Sequence, residues 1–393
     1  MVVVGTRPEA IKLAPVVLCL LKHSGQIRTR LVLTGQHRET VDEVLEAFHL
    51  RADIDLNLME TSQTLPHFAA RALEELTAVF EQERPDLLLV EGDTTTVFAA
   101  SLAAFYQHIR VGHVEAGLRT RDKYSPFPEE INRRLTGALA DLHFAPTWEA
   151  RDNLLREQVN DSYIFVTGNP VIDAVQMIRT RATAEARNGF PFLGNGGRTL
   201  LVTSHRRENH GEPLRRICRA VSELVVRHPD VQVVWPVHPS PVVSNVVHDC
   251  LGRRERIHLT EPLGYCSFVG VMALCDLILT DSGGVQEEAP AFGKPVLVLR
   301  NNTERPEGVS AGIAQLIGTS EIDIVERASR LLSNATVYHK MSRTLCPYGD
   351  GRAAERIVAA IRLSYDLDSV RPDSFVADPV TSQARAESGL INE

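Results

Sequence analysis

The chain has 393 residues, with 42 Lys+Arg against 50 Asp+Glu and a formal net charge of −8. That length is about right for two domains. A mildly acidic chain without basic runs lacks the positive field that broad nucleic-acid binding needs, although it leaves room for one local phosphate pocket. A hydrophobic content of 44% with 23% charge excludes wholesale disorder. No apolar run approaches the roughly 18–20 residues of a membrane span, and the start MVVVGTRPEA carries no signal-peptide pattern. The six cysteines form no CxxC pair, which predicts free thiols in a reducing cytoplasm. The 14 histidines show no recognisable metal-ligand spacing, so no metal site is expected.

Short β-branched runs alternate with helix-length patterns. In chain order, the first half predicts a strand at Val2–Val4, a helix at Ala10–Lys22, a strand at Leu31–Thr34 and a helix at Glu39–Phe48. A helix at Pro66–Gln82, a strand at Asp86–Val90 and a helix at Thr95–Tyr106 follow, then strands at Arg110–Glu115, Leu142–Ala145 and Tyr163–Val166. The segment Arg187–Arg198 is rich in Gly, Pro and Asn and reads as a hinge. The second half repeats the plan, with strands at Thr199–Thr203, Val231–Pro236, Asp276–Thr280, Pro295–Leu299 and Ala314–Ile317. Its helices are expected at Pro213–Arg227, Tyr265–Leu274, Val285–Ala291 and Ile322–Leu332. Continuous apolar strands followed by helices imply parallel βαβ units covered on both faces. The expected fold is α/β: two Rossmann-like doubly wound domains facing a deep cleft, with ligands outside the carboxyl ends of the strands. Residues 1–168 form the first domain in this reading and 169–345 the second. Residues 346–365 are expected as a C-terminal helix packing back on the first domain, and 366–393 as a polar, mobile tail.

The polar residues after each strand should line that cleft. Gly5-Thr6-Arg7-Pro8-Glu9 follows the first strand and opens a helix carrying Lys12. Such a helix start favours anions, and Arg7 and Lys12 add positive charge; a capped start with solvated charges is the plain alternative. Asp93 and three threonines follow the strand that ends at Val90, where they either cap a helix or face a substrate. Glu115 lies among small residues that let a ligand come close, and Glu129 and Glu130 open a helix after Pro128. Asp93, Glu115 and Glu129 share one rim, and carboxylates crowded in one cleft have their pKa values pushed apart, as acid and base roles require. In the second half, His205 sits in a charged turn after the first strand. Ser282, Gly283 and Gly284 at a helix start read as a phosphate cradle. Glu288, one turn along, can reach a ribose diol, and Arg305 can complete the phosphate site.

Nine motifs in order carry a resemblance: GTRPEAIK, GDTTT, GHVEAGLRT, SPFPEEINRRLT, HRREN, DSGGVQEEAP, GKPVLVLR, TERPEGV and PYGDG. Together the chain resembles the non-hydrolysing UDP-N-acetylglucosamine 2-epimerases, collinearly from Val2 to about Leu363. The resemblance implies the B-type glycosyltransferase architecture, with UDP in the interdomain cleft. It implies interconversion of UDP-N-acetylglucosamine and UDP-N-acetylmannosamine by a cytoplasmic homodimer that needs no cofactor, and a product destined for surface polysaccharide. It also implies activation by UDP-N-acetylglucosamine at a second site. The implied route eliminates UDP to 2-acetamidoglucal and re-adds it with C2 inverted. By motif, Asp93, Glu115, Glu129 and His205 match the catalytic set, with the assignment of acid and base among the carboxylates left open. Arg7 and Lys12 match substrate contacts, Ser282, Gly283, Gly284, Glu288 and Arg305 match the UDP set, and Phe268 is placed near uracil. Gln36, His37, Gln63, Glu130, Arg206 and His238 resemble the activator pocket. The family usually has His or Gln where Glu91 stands here, and this added carboxylate either raises a neighbouring pKa or points into solvent. A hydrolysing epimerase, a glycosyltransferase of the same fold and a sensor without turnover are the rival readings; the intact HRREN and EEINRR motifs and the carboxylate cluster favour the first reading over them.

Overall fold

The computed structural model describes residues 1–35, 38–60, 63–342 and 346–377. Gln36 and His37, expected in the activator pocket, lie outside the described residues. The chain divides into two compact units: Met1–Ala174 together with the chain from Tyr348 onward, and Val175–Pro347.

The first unit runs β1 (Val2–Val4), α1 (Arg7–Leu21), β2 (Leu31–Leu33), α2 (Arg38–Ala47), β3 (Ile54–Asp55), α3 (Leu65–Glu83), β4 (Leu87–Glu91) and α4 (Thr95–Tyr106). It continues with β5 (Arg110–Val114), α5 (Glu129–Leu139), β6 (Leu142–Ala145), α6 (Trp148–Arg156), β7 (Ile164–Val166) and α7 (Pro170–Gly189). The division between the units falls inside α7. The strands form one sheet in the order β3-β2-β1-β4-β5-β6-β7, every pairing parallel. Helices cover both faces of such a sheet, so its inner strands are apolar without alternation; β1 is Val-Val-Val with every residue buried. Thr64, Thr94 and Thr147 start α3, α4 and α6 by accepting hydrogen bonds from first-turn N–H groups. One core layer joins Val3, Val32 and Leu88 of the sheet to Leu76 and Phe80 of α3 and Val97 and Ala103 of α4.

The second unit runs β8 (Arg198–Thr203), α8 (Glu212–Arg227), β9 (Val231–Pro236), α9 (Pro241–Leu251), β10 (Ile257–Thr260), α10 (Tyr265–Leu274), β11 (Leu277–Thr280) and α11 (Gly283–Glu288). It ends with β12 (Val296–Val298), α12 (Pro306–Ser310), β13 (Ala314–Leu316), α13 (Glu321–Ser333) and α14 (Ala335–Ser342). Its sheet has the order β10-β9-β8-β11-β12-β13, again parallel. The last helix, α15 (Ala353–Ser364), belongs to the first unit. None of the described helices is long and apolar enough to cross a membrane.

The strand expected to end at Glu115 stops at Val114, because Glu115 turns into the left-handed region at φ 62°. The edge strands β3 and β10, and helices α6, α7 and α9, go beyond the elements expected from sequence. Within the expected tail, residues up to Ala377 are described, and part of that segment is held down. The Phe375 N–H donates to the Val166 carbonyl at 2.8 Å, and Trp148 Nε1 donates to the Phe375 carbonyl at 2.9 Å.

Candidate active site

In the first sheet the direction of winding reverses between β1 and β4, and the carboxyl ends of strands at such a switch point are where open α/β sheets bind ligands. Arg7 is half-buried in the first turn of α1. One turn on, Lys12 is buried and donates from Nζ to Glu115 Oε1 at 2.5 Å. Asn169 Nδ2 donates to the same oxygen at 2.8 Å. Glu9 turns back to its own helix start, accepting from the Gly5 N–H at 2.6 Å and the Thr6 hydroxyl at 2.9 Å. Burial pushes the Glu9 carboxyl up to about 7, against those hydrogen bonds.

Asp93 follows β4, and both Nε (3.0 Å) and the terminal nitrogen of Arg133 donate to its Oδ2. Arg133 also lies 3.3 Å from Glu130 Oε2. The pair ties the Asp93 turn to α5, whose first residue is the half-buried Glu129. Glu130 is buried and accepts from the N–H groups of Thr120 (3.0 Å) and Arg121 (3.1 Å), so its carboxylate organises the loop before α5. Two threonine hydroxyls after Asp93 serve local structure: Thr94 caps α4, and Thr96 shares a 3.1 Å hydrogen bond with Thr34. Gln63 lies just before α3, where its Oε1 accepts from the Glu60 N–H at 3.3 Å.

In the second sheet the winding reverses between β8 and β11. Asp281, fully buried after β11, accepts from Ser204 Oγ (2.9 Å), the His205 N–H (2.9 Å), the Arg206 N–H (3.0 Å) and Asn209 Nδ2 (2.8 Å). One carboxylate thus shapes the whole turn after β8. His205 Nδ1 lies 3.3 Å from Asp281 Oδ1, and its ring stacks on His238 with centroids 5.8 Å apart. Burial holds the His205 pKa below its ordinary value despite Asp281, so the ring is neutral at pH 7.

Gly283, at the start of α11, faces two guanidinium groups: a Cβ there would sit 3.5 Å from Arg305 Cζ and 3.7 Å from an Arg206 terminal nitrogen. Arg305 Nε donates to Glu287 Oε1 at 2.6 Å, which orients the fork. A Cβ on Gly284 would lie 3.7 Å from Glu288 Oε1 and 4.0 Å from Ser282 Oγ. Phe268 is half-buried on α10. Arg206, grouped with the activator residues by resemblance, therefore shares the Gly283 corner with Arg305, while His238 is exposed beside His205.

The sequence reading passed over four residues that hold this machinery. Arg133 and Asp281 lie inside quoted motifs, and their charge was the available signal. Asn169 follows β7 in a short polar turn. His113 also lies inside a quoted motif, but its place in an apolar strand gave no sign of its role. It is 1% exposed and its Nε2 donates to the Gly92 carbonyl at 2.7 Å, fixing the backbone ahead of Asp93. Burial lowers its pKa to about 3, which keeps the ring neutral and Nε2 as the donor.

Two doubly wound parallel sheets, one with carboxylates and a buried lysine beside its switch point and one with a histidine–aspartate pair and two arginines beside its own, define an α/β protein that carries the side-chain types acid–base chemistry on an anionic substrate would use. The chain belongs to the UDP-N-acetylglucosamine 2-epimerase family, whose model matches residues 20–362. A Bacillus subtilis protein named UDP-N-acetylglucosamine 2-epimerase is 52% identical over 379 residues, 95% of this chain and 98% of that one. One of the same name from Escherichia coli is 50% identical over 366 residues, covering 92% and 97%. The crystal structure of UDP-GlcNAc 2-epimerase from Neisseria meningitidis bound to UDP-GlcNAc superposes with a TM-score of 0.85 at 46% identity, covering 92% of this chain and 98% of that one.

Proposed function

We propose that the protein interconverts UDP-N-acetylglucosamine and UDP-N-acetylmannosamine by inverting C2. The observation that carries this reading is the carboxylate group around Lys12 and Arg133, because family membership supplies the substrate class and these side chains supply the proton chemistry. The sugar C2 hydrogen has no adjacent carbonyl, so direct deprotonation is unfavourable. Loss of UDP from C1 builds oxocarbenium character and makes that hydrogen removable, giving 2-acetamidoglucal and UDP; re-addition of UDP to C1 with protonation of the opposite face of C2 completes the inversion. Asp93, Glu115 and Glu129 stabilise the developing positive charge and move the protons. His205 in its neutral form accepts a hydrogen bond or proton at the nucleotide side. Arg7, Lys12, Ser282, Gly283, Gly284 and Arg305 hold the departing diphosphate, Glu288 the ribose and Phe268 the base. Gln63, Glu130, Arg206 and His238 belong to an activating site for a second UDP-N-acetylglucosamine. The protein works as a cytoplasmic homodimer.

Proton NMR of UDP-N-acetylglucosamine with the purified protein in deuterated water tests the reading. UDP-N-acetylmannosamine with deuterium at C2 is the expected product. Free N-acetylmannosamine and UDP would make the protein a hydrolysing epimerase, and binding without turnover would remove the catalytic assignment.

A further inference from the structure

Glu91 has no part in the chemistry set out above, yet it is among the most enclosed charged side chains near the carboxylates. It is the last residue of β4 and 1% exposed. Lys12 Nζ stands between two carboxyl groups, 3.1 Å from Glu91 Oε1 and 2.5 Å from Glu115 Oε1. The Glu91 and Glu115 carboxyls therefore flank the same ammonium group. The charged groups acting on Glu91 are Glu9 and Lys12 from α1 and Glu115 from the turn after β5.

Two carboxyls on one ammonium, with Glu9 also acting on Glu91, cannot all ionise in a buried site without leaving uncompensated negative charge. Two carboxyls flanking one buried ammonium titrate as a coupled pair, and a retained proton settles on the member with less support for its charge. Glu115 already receives hydrogen bonds from Lys12 and Asn169. Glu91 is farther from Lys12 and deeper. We propose that Glu91 is a positioning residue: a neutral acid that donates a hydrogen bond to the Glu115 carboxylate and, with Lys12, holds that carboxylate ionised and in one orientation. Burial is the main force raising the Glu91 pKa well above the ordinary value; Lys12 opposes it, and Glu115 and Glu9 add to it. The proposal rests on the role given to Glu115 above.

Glu91→Gln keeps the neutral hydrogen-bond donor, and Glu91→Leu removes it. Glu91→Gln is expected to keep kcat within about fivefold, and Glu91→Leu to lower it by at least about 30-fold, each with KM changed by less than about threefold. In the wild type, rising pH ionises Glu91 and places a second negative charge against Glu115, so kcat falls on the alkaline side. Glu91→Gln cannot ionise and should lack that fall. A Gln variant as impaired as the Leu variant, a fully active Leu variant, or an unchanged alkaline limb in Glu91→Gln would overturn the proposal. A second readout needs no turnover. In the apoprotein labelled with carboxyl-13C glutamate, the Glu91 resonance, identified by its loss in Glu91→Gln, should keep the shift of a protonated acid at pH ~6.5, where an ordinary glutamate of pKa ~4.3 is ionised. A carboxylate shift there refutes the neutral acid even if the substrate assignment fails, and a protonated shift upholds it in that same case.

Discussion

Asp93 is held by Arg133 and its preceding carbonyl by His113, so one carboxylate of the proposed catalytic set depends on two side chains from different elements. Asp93→Asn keeps the shape and removes the charge. It should lower kcat by at least about 100-fold, the scale of an acid–base group. Calorimetric titration should show UDP affinity retained in that variant and weakened in Arg305→Ala. His113 leads to a stability prediction. Its folded pKa, about 3, lies below the ordinary 6.5, so the unfolded chain takes up the proton first and stability falls as pH drops below 6.5. Between pH 7 and pH 5 this costs about 2 kcal/mol. Glu9 acts in the opposite sense: its folded pKa is raised to about 7, so the stability it contributes is present at low pH and lost as pH rises through 7. The clean measurement is the gap between wild type and His113→Gln in urea unfolding, which should shrink by about 2 kcal/mol from pH 7 to pH 5. A gap independent of pH would mean that His113 is not the group titrating.

The elements were legible where a strand is a short apolar run bounded by turns, as at Val2–Val4 and Leu277–Thr280. Helix α9 was not legible. Its sequence PVVSNVVHDCL is rich in β-branched residues, which favour strands. It is helical because Val243, Val247 and Leu251, four residues apart, form one buried face, and that tertiary burial outweighs local preference. Strand β3 has only two residues, too few for any pattern. Packing between α7 and α10 hangs on Gly270, where a Cβ would fall 1.9 Å from the Ala182 carbonyl oxygen and 2.7 Å from Ala186 Cβ. Gly270→Ala must push the helices apart. A loss of about 1–3 kcal/mol or more in denaturant unfolding is expected; an unchanged midpoint would show that the contact yields freely.

At the scale of the whole molecule, the chain forms two sheets with one winding plan, and the C-terminal chain returns to the first unit. Phe375 is 3% exposed there, and the Arg371 guanidinium lies 4.3 Å from the Phe165 ring centroid. Arg356 adds a paired contact to Asp350 at 2.7 Å and reaches Asp373 at 3.1 Å. The polar composition of this stretch hides a large apolar anchor, Phe375, that fastens it. Phe375→Ala should cost about 3–5 kcal/mol in the unfolding of the first unit. A melting curve matching the wild type would show that the strap adds nothing.

Sequence by itself determined the class of fold and the candidate chemistry, because a buried parallel strand delivers the residues after it to the carboxyl edge of its sheet. That geometry is local, and Asp93, Glu115, His205 and Ser282 could be read from it. What each side chain does there was decided only by tertiary structure. Lys12 meets a carboxylate 103 residues away, and Asp281 grips a turn 76 residues earlier. Whether Glu91 faced solvent or the interior depended on the same distant partners. A buried charge is governed by which groups fold around it, and no spacing within one segment records that.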